Sequence, residues 1–117
     1  MTDKELVERL LSAFKEVSKM LSLGNLELLK SDELYGPKYH IEDMLNNYKH
    51  FFNQAEILEI EKVLSKERII PESGIFLESQ KVNSELRDLY ILLKELIKTR
   101  GMSEKRILDS VTRASGF

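Results

Sequence analysis

The side chains best suited to chemistry in this sequence are a histidine and several carboxylates in its middle third. His40 and Asp43 are three residues apart, so a helix would place them on one face. Glu56, Glu59 and Glu61 follow and could complete a metal site. Carboxylate-bridged metal sites in helical bundles need Glu-x-x-His motifs, however, and neither histidine has a Glu three residues before it. A solvated charged face explains these residues more simply.

Covalent and nucleotide-dependent chemistries lack their usual motifs. The sequence contains no cysteine, which excludes a disulfide framework, a thiol nucleophile and cysteine ligands to zinc. No Gly-x-Ser-x-Gly elbow is present, and the five glycines are too scattered for a phosphate-binding loop. We therefore expect a protein that is not an enzyme and that uses neither a metal nor a cofactor.

Positive charge gathers towards the C-terminus, which raises nucleic-acid binding as an alternative function. The whole chain has a net charge of -2, yet residues 75–117 carry 8 basic and 6 acidic side chains. A basic cluster can neutralise phosphates and release their counterions. Cations near a helix C-terminus also offset its macrodipole, and we prefer this simpler interpretation. The cluster comprises Lys98, Arg100, Lys105, Arg106 and Arg113.

Aromatic residues around a Gly-Pro pair form the first candidate surface for a protein partner. Tyr35, Tyr39 and His40 flank Gly36 and Pro37, where we expect the chain to turn. Tyrosine is favoured at interfaces because it offers a large contact area with few rotamers. Ordinary packing of a loop against the end of a bundle is the alternative interpretation.

An apolar connector is the second candidate surface. Ile69 and Ile70 precede Pro71, and Phe76 follows within a few residues. If this turn is exposed, it forms an apolar patch of the kind that monomeric proteins seldom leave uncovered. The alternative is a strap that closes the bundle, and the sequence does not decide between them.

Helical periodicity defines most of the chain. Apolar residues at three- and four-residue spacing predict a first helix that begins with the capping-box pair Thr2 and Glu5. It runs to about Leu21 or Leu23, where Gly24 suits a left-handed C-terminal position. No segment has the alternation of a β-strand.

The middle of the chain predicts either two helices or one helix with a kink. Helix begins near Pro37, because the missing N–H of proline is harmless in a first turn. The apolar pattern continues to about Ser65. Asn53 and Glu56 form an Asn-x-x-Glu cap within it, which favours a break at Asn53.

The last long helix is predicted from Ile75 or Phe76 to Arg100, ended by Gly101, with Ser103 capping a short final helix. Its apolar positions alternate in four- and three-residue steps, as in a coiled coil. Such a seam could pair with a second copy as a homodimer, but we favour packing inside the chain. The seam consists of Ile75, Ser79, Val82, Leu86, Leu89, Leu93 and Leu96.

Together these patterns predict one all-α domain spanning residues 1–117, an antiparallel bundle of four or five helices with a short C-terminal helix. The charged N-terminus does not resemble a signal peptide, and no apolar run reaches the roughly 20 residues of a membrane helix. We expect a cytoplasmic module that binds a partner protein, as an inhibitor, an immunity protein or a chaperone would. Nucleic-acid regulation is the second hypothesis, and a metal- or carboxylate-based enzyme is the third.

Overall fold

Helices account for nearly all of the described protein. The computed structural model describes residues 3–23, 29–65 and 75–114. These ranges contain two 3-10 helices, Ser31–Leu34 and Lys49–Phe51, and no strand. The all-α class predicted from the sequence is confirmed. The five α helices are α1 (Asp3–Leu23), α2 (Tyr35–Tyr48), α3 (Gln54–Leu64), α4 (Ile75–Lys98) and α5 (Glu104–Ala114).

The core is one continuous cluster to which all five helices contribute. Its centre is the contact between α1 and α4, the most extensive between any two helices in the described part. On α1, the residues at three- and four-residue spacing are buried because they form a single stripe that faces α4. The most completely buried members of the two helices are Leu6, Leu10, Phe14 and Val17 on α1 and Val82, Leu86, Leu89 and Leu93 on α4.

The coiled-coil-like seam of α4 lies inside the protein. From Ser79 to Leu96 each of its positions is buried within the single chain. Its one polar member is also satisfied, because the Ser79 hydroxyl accepts a hydrogen bond of 3.2 Å from the Leu29 N–H. Packing within the chain, which we favoured, is therefore confirmed for this stretch. A homodimer along the same seam receives no support, since its described side chains are already covered.

The break between α2 and α3 falls at the predicted residue. The Asn53 side chain accepts a hydrogen bond of 2.8 Å from the Glu56 N–H, and the Glu56 carboxylate accepts one of 3.0 Å from the Asn53 N–H. This reciprocal pair is a capping box, which satisfies two backbone donors that a helix start would otherwise leave unpaired. The interpretation as two helices is confirmed.

The predicted turn at Tyr35-Gly36-Pro37 is wrong. The first 3-10 helix runs directly into α2, whose first residue is Tyr35. Pro37 is the third residue of α2 and lies in its first turn, where backbone N–H groups have no partner within the helix. The proline therefore marks the start of a helix, as expected, but Gly36 belongs to that helix.

The end of α4 and the start of α5 follow the sequence signals. Gly101 has a φ of 95°, a left-handed conformation that glycine adopts without strain, and it ends the turn after Lys98. Ser103 then caps α5, since its hydroxyl accepts a hydrogen bond of 3.3 Å from the Arg106 N–H. The predictions for the Thr2 cap, for Gly24 and for the connector at 69–74 lie outside the described residues.

Candidate protein-binding surface

Two tyrosines on α2 point away from the core. Tyr35 is 76% exposed and Tyr39 is 65% exposed, the highest values among the large hydrophobic side chains of the described residues. They are four residues apart and therefore share one face of the helix. Pro37 and Ile41 on the opposite face are buried, so the helical period itself directs the tyrosines outward.

His40 extends this exposed face towards α1. Its side chain is 61% exposed, and its Nε2 lies 3.7 Å from a carboxylate oxygen of Glu16 on α1. Its ring also makes an edge contact with the Tyr39 ring, with 6.3 Å between centroids. We call Tyr35, Tyr39 and His40 the tyrosine ridge. All three were candidate partner-binding residues, and the structure brings them together on one surface.

A partly buried ion pair holds the ridge helix against the core. The Lys38 Nζ lies 3.0 Å from a Glu85 Oε1 on α4, and their side chains are only 26% and 11% exposed. These residues are 47 positions apart in the chain, so sequence reasoning gave no reason to pair them. Because Lys38 lies between the two tyrosines, the pair fixes the backbone that presents them.

A small cleft lies beside the ridge, between α1 and α2. It has a volume of about 190 Å³ and includes His40 and Asp43, which share the face that their spacing predicted. Asp43 accepts a hydrogen bond of 2.8 Å from the Asn47 side chain. The other lining residues are Arg9, Ser12, Ala13, Glu16 and Met44.

The three glutamates of α3 considered for a metal site do not assemble with His40 and Asp43. Glu56 is engaged with Arg100 at the end of α4, and Glu59 and Glu61 are exposed on α3. Within residues 3–23, 29–65 and 75–114, no group of three or more His, Asp or Glu side chains is arranged to hold a metal ion. The structure thus keeps His40 and Asp43 together but places the α3 glutamates elsewhere.

The second candidate surface lies largely outside the described residues. Ile69 and Ile70 belong to that part of the chain, and so does the side chain of Phe76, whose backbone is in the first turn of α4. Binding through this apolar connector therefore stays a prediction.

The central cation of the basic cluster is not directed into solvent. The Arg100 guanidinium donates hydrogen bonds of 2.8 and 3.2 Å to the two Glu56 carboxylate oxygens. It also donates to the backbone carbonyls of Leu96 and Phe51 and lies 4.9 Å from the Phe52 ring centroid. Its side chain is only 13% exposed. Arg100 therefore joins the end of α4 to the start of α3.

The other cations of this cluster are distributed around the same end of the bundle. Lys98 lies 3.8 Å from Glu95 on its own helix, and the Lys105 and Arg106 side chains are exposed. Arg113 is in α5, and its side chain lies outside the described part. Acidic groups are interspersed, since Glu104 lies 3.1 Å from Lys94. The positive surface is consequently smaller than the sequence suggested.

The Arg100 contact predicts how stability depends on pH. Burial raises the pKa of Glu56, but the hydrogen bonds and positive charge of Arg100, with the backbone hydrogen bond from Asn53, outweigh it and lower the pKa below its ordinary value. A lowered pKa adds stability that is present above the unfolded-state pKa of about 4.3 and is lost as the pH falls through the folded-state pKa. We therefore expect the stability difference between the native protein and Glu56→Gln to be largest at neutral pH.

Urea denaturation of both proteins from neutral to acidic pH measures this difference. It should shrink as the pH falls below about 4.3, because the Glu56 carboxyl group then binds a proton in the unfolded chain before it does so in the folded protein. The difference is smallest below the folded-state pKa, where the carboxyl group is neutral in both states and resembles the amide. A difference that stays constant over this range would contradict a lowered pKa at Glu56.

None of the helices in the described ranges combines the length and the apolar character that crossing a bilayer requires. Comparison with known proteins adds no relative from which a function could be transferred: no protein family, no curated protein and no solved structure matches this chain.

Proposed function

We propose that this protein is a non-enzymatic module that binds a partner protein through the tyrosine ridge. The observation that carries the proposal is the exposure of Tyr35 and Tyr39 on consecutive turns of one helix. Exposed tyrosines that a partner buries on binding are frequent hot spots of protein interfaces, because they combine a large apolar area with a hydroxyl group that can form a hydrogen bond. An inhibitor, an immunity protein or a chaperone could all act through such a contact.

The helix that carries the ridge is held rigidly in place, which favours binding. Ile41 and Pro37 anchor one side of α2 in the core, and the Lys38–Glu85 ion pair ties the helix to α4. A contact surface on a fixed helix loses little conformational entropy when a partner binds, so more of the interaction energy appears as affinity. We propose the cytoplasm as the location, since a chain without cysteine suits a reducing compartment.

Nucleic-acid binding by the basic end is the weaker proposal. The central residue of the basic cluster, Arg100, is largely covered and bonded to Glu56. Among the described members of that cluster, this leaves Lys98, Lys105 and Arg106 exposed. Three exposed cations can contact only a few phosphates, and the number of phosphate contacts largely determines the nonspecific affinity of a protein for nucleic acid.

Photo-crosslinking identifies the partner directly. A benzoylphenylalanine residue is placed at Tyr39, and separately at Leu58, which is 57% exposed on α3 and serves as the matched control. We expect a protein to be linked at position 39 and not at position 58, when both variants are expressed in the source cells. Equal linking at both positions, or none at position 39, would count against the ridge.

Alanine variants then measure the contribution of each tyrosine. Tyr35→Ala and Tyr39→Ala should each weaken binding of the crosslinked partner about tenfold, because each removes an exposed ring from the contact. Their free energies of unfolding should stay within about 0.5 kcal/mol of the native value, since neither ring is buried. Leu58→Ala should leave the affinity unchanged. Calorimetric titration gives the affinities, and unchanged binding by both tyrosine variants would contradict the proposal.

A further inference from the structure

Acidic side chains surround the tyrosine ridge. Residues 31–43 contain four carboxylates, Asp32, Glu33, Glu42 and Asp43, and one basic residue, Lys38. Glu16 of α1 approaches the same region, since a Cβ atom at Gly36 would lie 2.9 Å from one of its carboxylate oxygens. The segment that carries the ridge is therefore predominantly negative, although Arg9 of α1 lines the cleft beside His40 and the exposed Lys30 precedes the segment.

The only lysine in this segment does not offset that charge. Lys38 is paired with Glu85, and this pair is largely buried between α2 and α4. Its positive charge is therefore neutralised locally by a carboxylate from outside the segment. Asp32, Glu33 and Glu42, by contrast, are exposed.

The arrangement of the carboxylates follows the face that carries the tyrosines. Asp32 precedes Tyr35 by three residues across the junction of the 3-10 helix with α2, which places the two residues about one helical turn apart. Glu42 follows Tyr39 by three residues on α2, which places it on a neighbouring turn of the same side. On the side of the ridge that faces α1, the Glu16 carboxylate lies next to His40.

We infer that the partner is a protein with a basic surface, in which arginine or lysine side chains contact the two exposed tyrosine rings and the carboxylates around them. The inference rests on the proposed function and specifies its partner. Arginine binds tyrosine faces through cation–π contacts and carboxylates through paired hydrogen bonds, so this surface offers both of its preferred ligands. Opposite charges also accelerate association.

A second copy of this chain is a poor occupant in the symmetric arrangement. A two-fold interface would place the ridge against itself and bring the same carboxylates together. Like charges face to face oppose binding. A head-to-tail contact with the exposed cations near Gly101 of another copy is the remaining form of self-association, and the test below includes it.

The first experiment uses two otherwise identical amphipathic peptides, one rich in arginine and one rich in glutamate. Each is titrated into the full-length, ¹⁵N-labelled protein, and amide chemical shifts are followed. We expect the arginine-rich peptide to change the amide chemical shifts of residues 32–43, and these changes should become smaller as salt is added. The glutamate-rich peptide should leave the same chemical shifts unchanged. Equal shifts with both peptides, or shifts confined to the region around Gly101, would overturn the inference. Sedimentation without peptide shows whether copies associate head to tail, which would also overturn it.

Charge-reversed variants separate this inference from the proposed function. Asp32→Lys combined with Glu42→Lys should weaken binding of the arginine-rich peptide and of the crosslinked partner about tenfold or more, because like charges then face each other. Glu59→Lys combined with Glu61→Lys makes the same change in charge on α3 and should have little effect. If the tyrosine variants lose the partner while Asp32→Lys with Glu42→Lys retains it, the ridge binds a protein that is not basic. If the charge reversal abolishes binding while the tyrosine variants retain it, the acidic surface binds cations without the ridge, and the proposed function fails.

Discussion

Replacing Arg100 with leucine should lower the free energy of unfolding by about 3 kcal/mol. The change removes the two hydrogen bonds to Glu56, those to the Leu96 and Phe51 carbonyls, and the contact with the Phe52 ring. It also leaves the Glu56 carboxylate, only 14% exposed, without its countercharge. An unpaired charge in such a place is costly, since burial has removed part of its hydration. Urea denaturation at neutral pH measures the loss.

Two further variants show whether the loss belongs to this contact. Lys105→Leu removes an exposed cation at the same end of the bundle and should change stability by no more than about 0.5 kcal/mol. Arg100→Lys keeps the charge but cannot form the paired hydrogen bonds, so we expect an intermediate loss. If Arg100→Leu is no more destabilising than Lys105→Leu, the buried arginine contact does not exist in solution.

Replacing Phe14 with alanine should have a still larger effect, a loss of about 4 kcal/mol. Phe14 is fully buried at the centre of the contact between α1 and α4. Its ring centroid lies 4.7 Å from that of Tyr90 on α4, so the truncation removes an aromatic pair and leaves a cavity. Close packing prevents the surroundings from filling that cavity completely. Thermal and urea unfolding both report the loss.

The control for Phe14 is a truncation outside the core. Leu58 is 57% exposed, and Leu58→Ala should change stability by no more than about 0.5 kcal/mol. Phe14→Leu preserves most of the volume and should be less destabilising than Phe14→Ala. Similar losses in Phe14→Ala and Leu58→Ala would show that α1 does not pack against α4 as described.

Local signals in the sequence were sufficient to predict most of the helices. The end of α4 and the start of α5 lie close to their predicted positions, because Gly101 and the cap Ser103 act within a few residues of these ends. The same is true of Asn53 and Glu56. Gly36 and Pro37 misled the prediction, since a Gly-Pro pair is typical of turns. Here a preceding 3-10 helix carries the chain straight into α2.

The candidate site was predictable only in part. The tyrosines were identified from residue type, and their outward direction follows from the period of α2 once that helix is known to begin at Tyr35. The role of Arg100 was not predictable, because its partner Glu56 is 44 residues away and no pattern in either segment refers to the other. The same holds for Lys38 and Glu85. Long-range ion pairs depend on how the helices pack against each other, and local sequence patterns do not specify this packing.

The central position of the contact between α1 and α4 has a consequence for synthesis of the protein. Because α4 ends at Lys98, the ribosome completes it roughly 4–15 s after α1 at ordinary elongation rates. Throughout that interval the apolar stripe of α1 lacks its main partner and is available to chaperones or to other nascent chains. Shorter helices made in between, α2 and α3, cover part of it at most. Slow translation after residue 23 should therefore favour aggregation more than slow translation after residue 98.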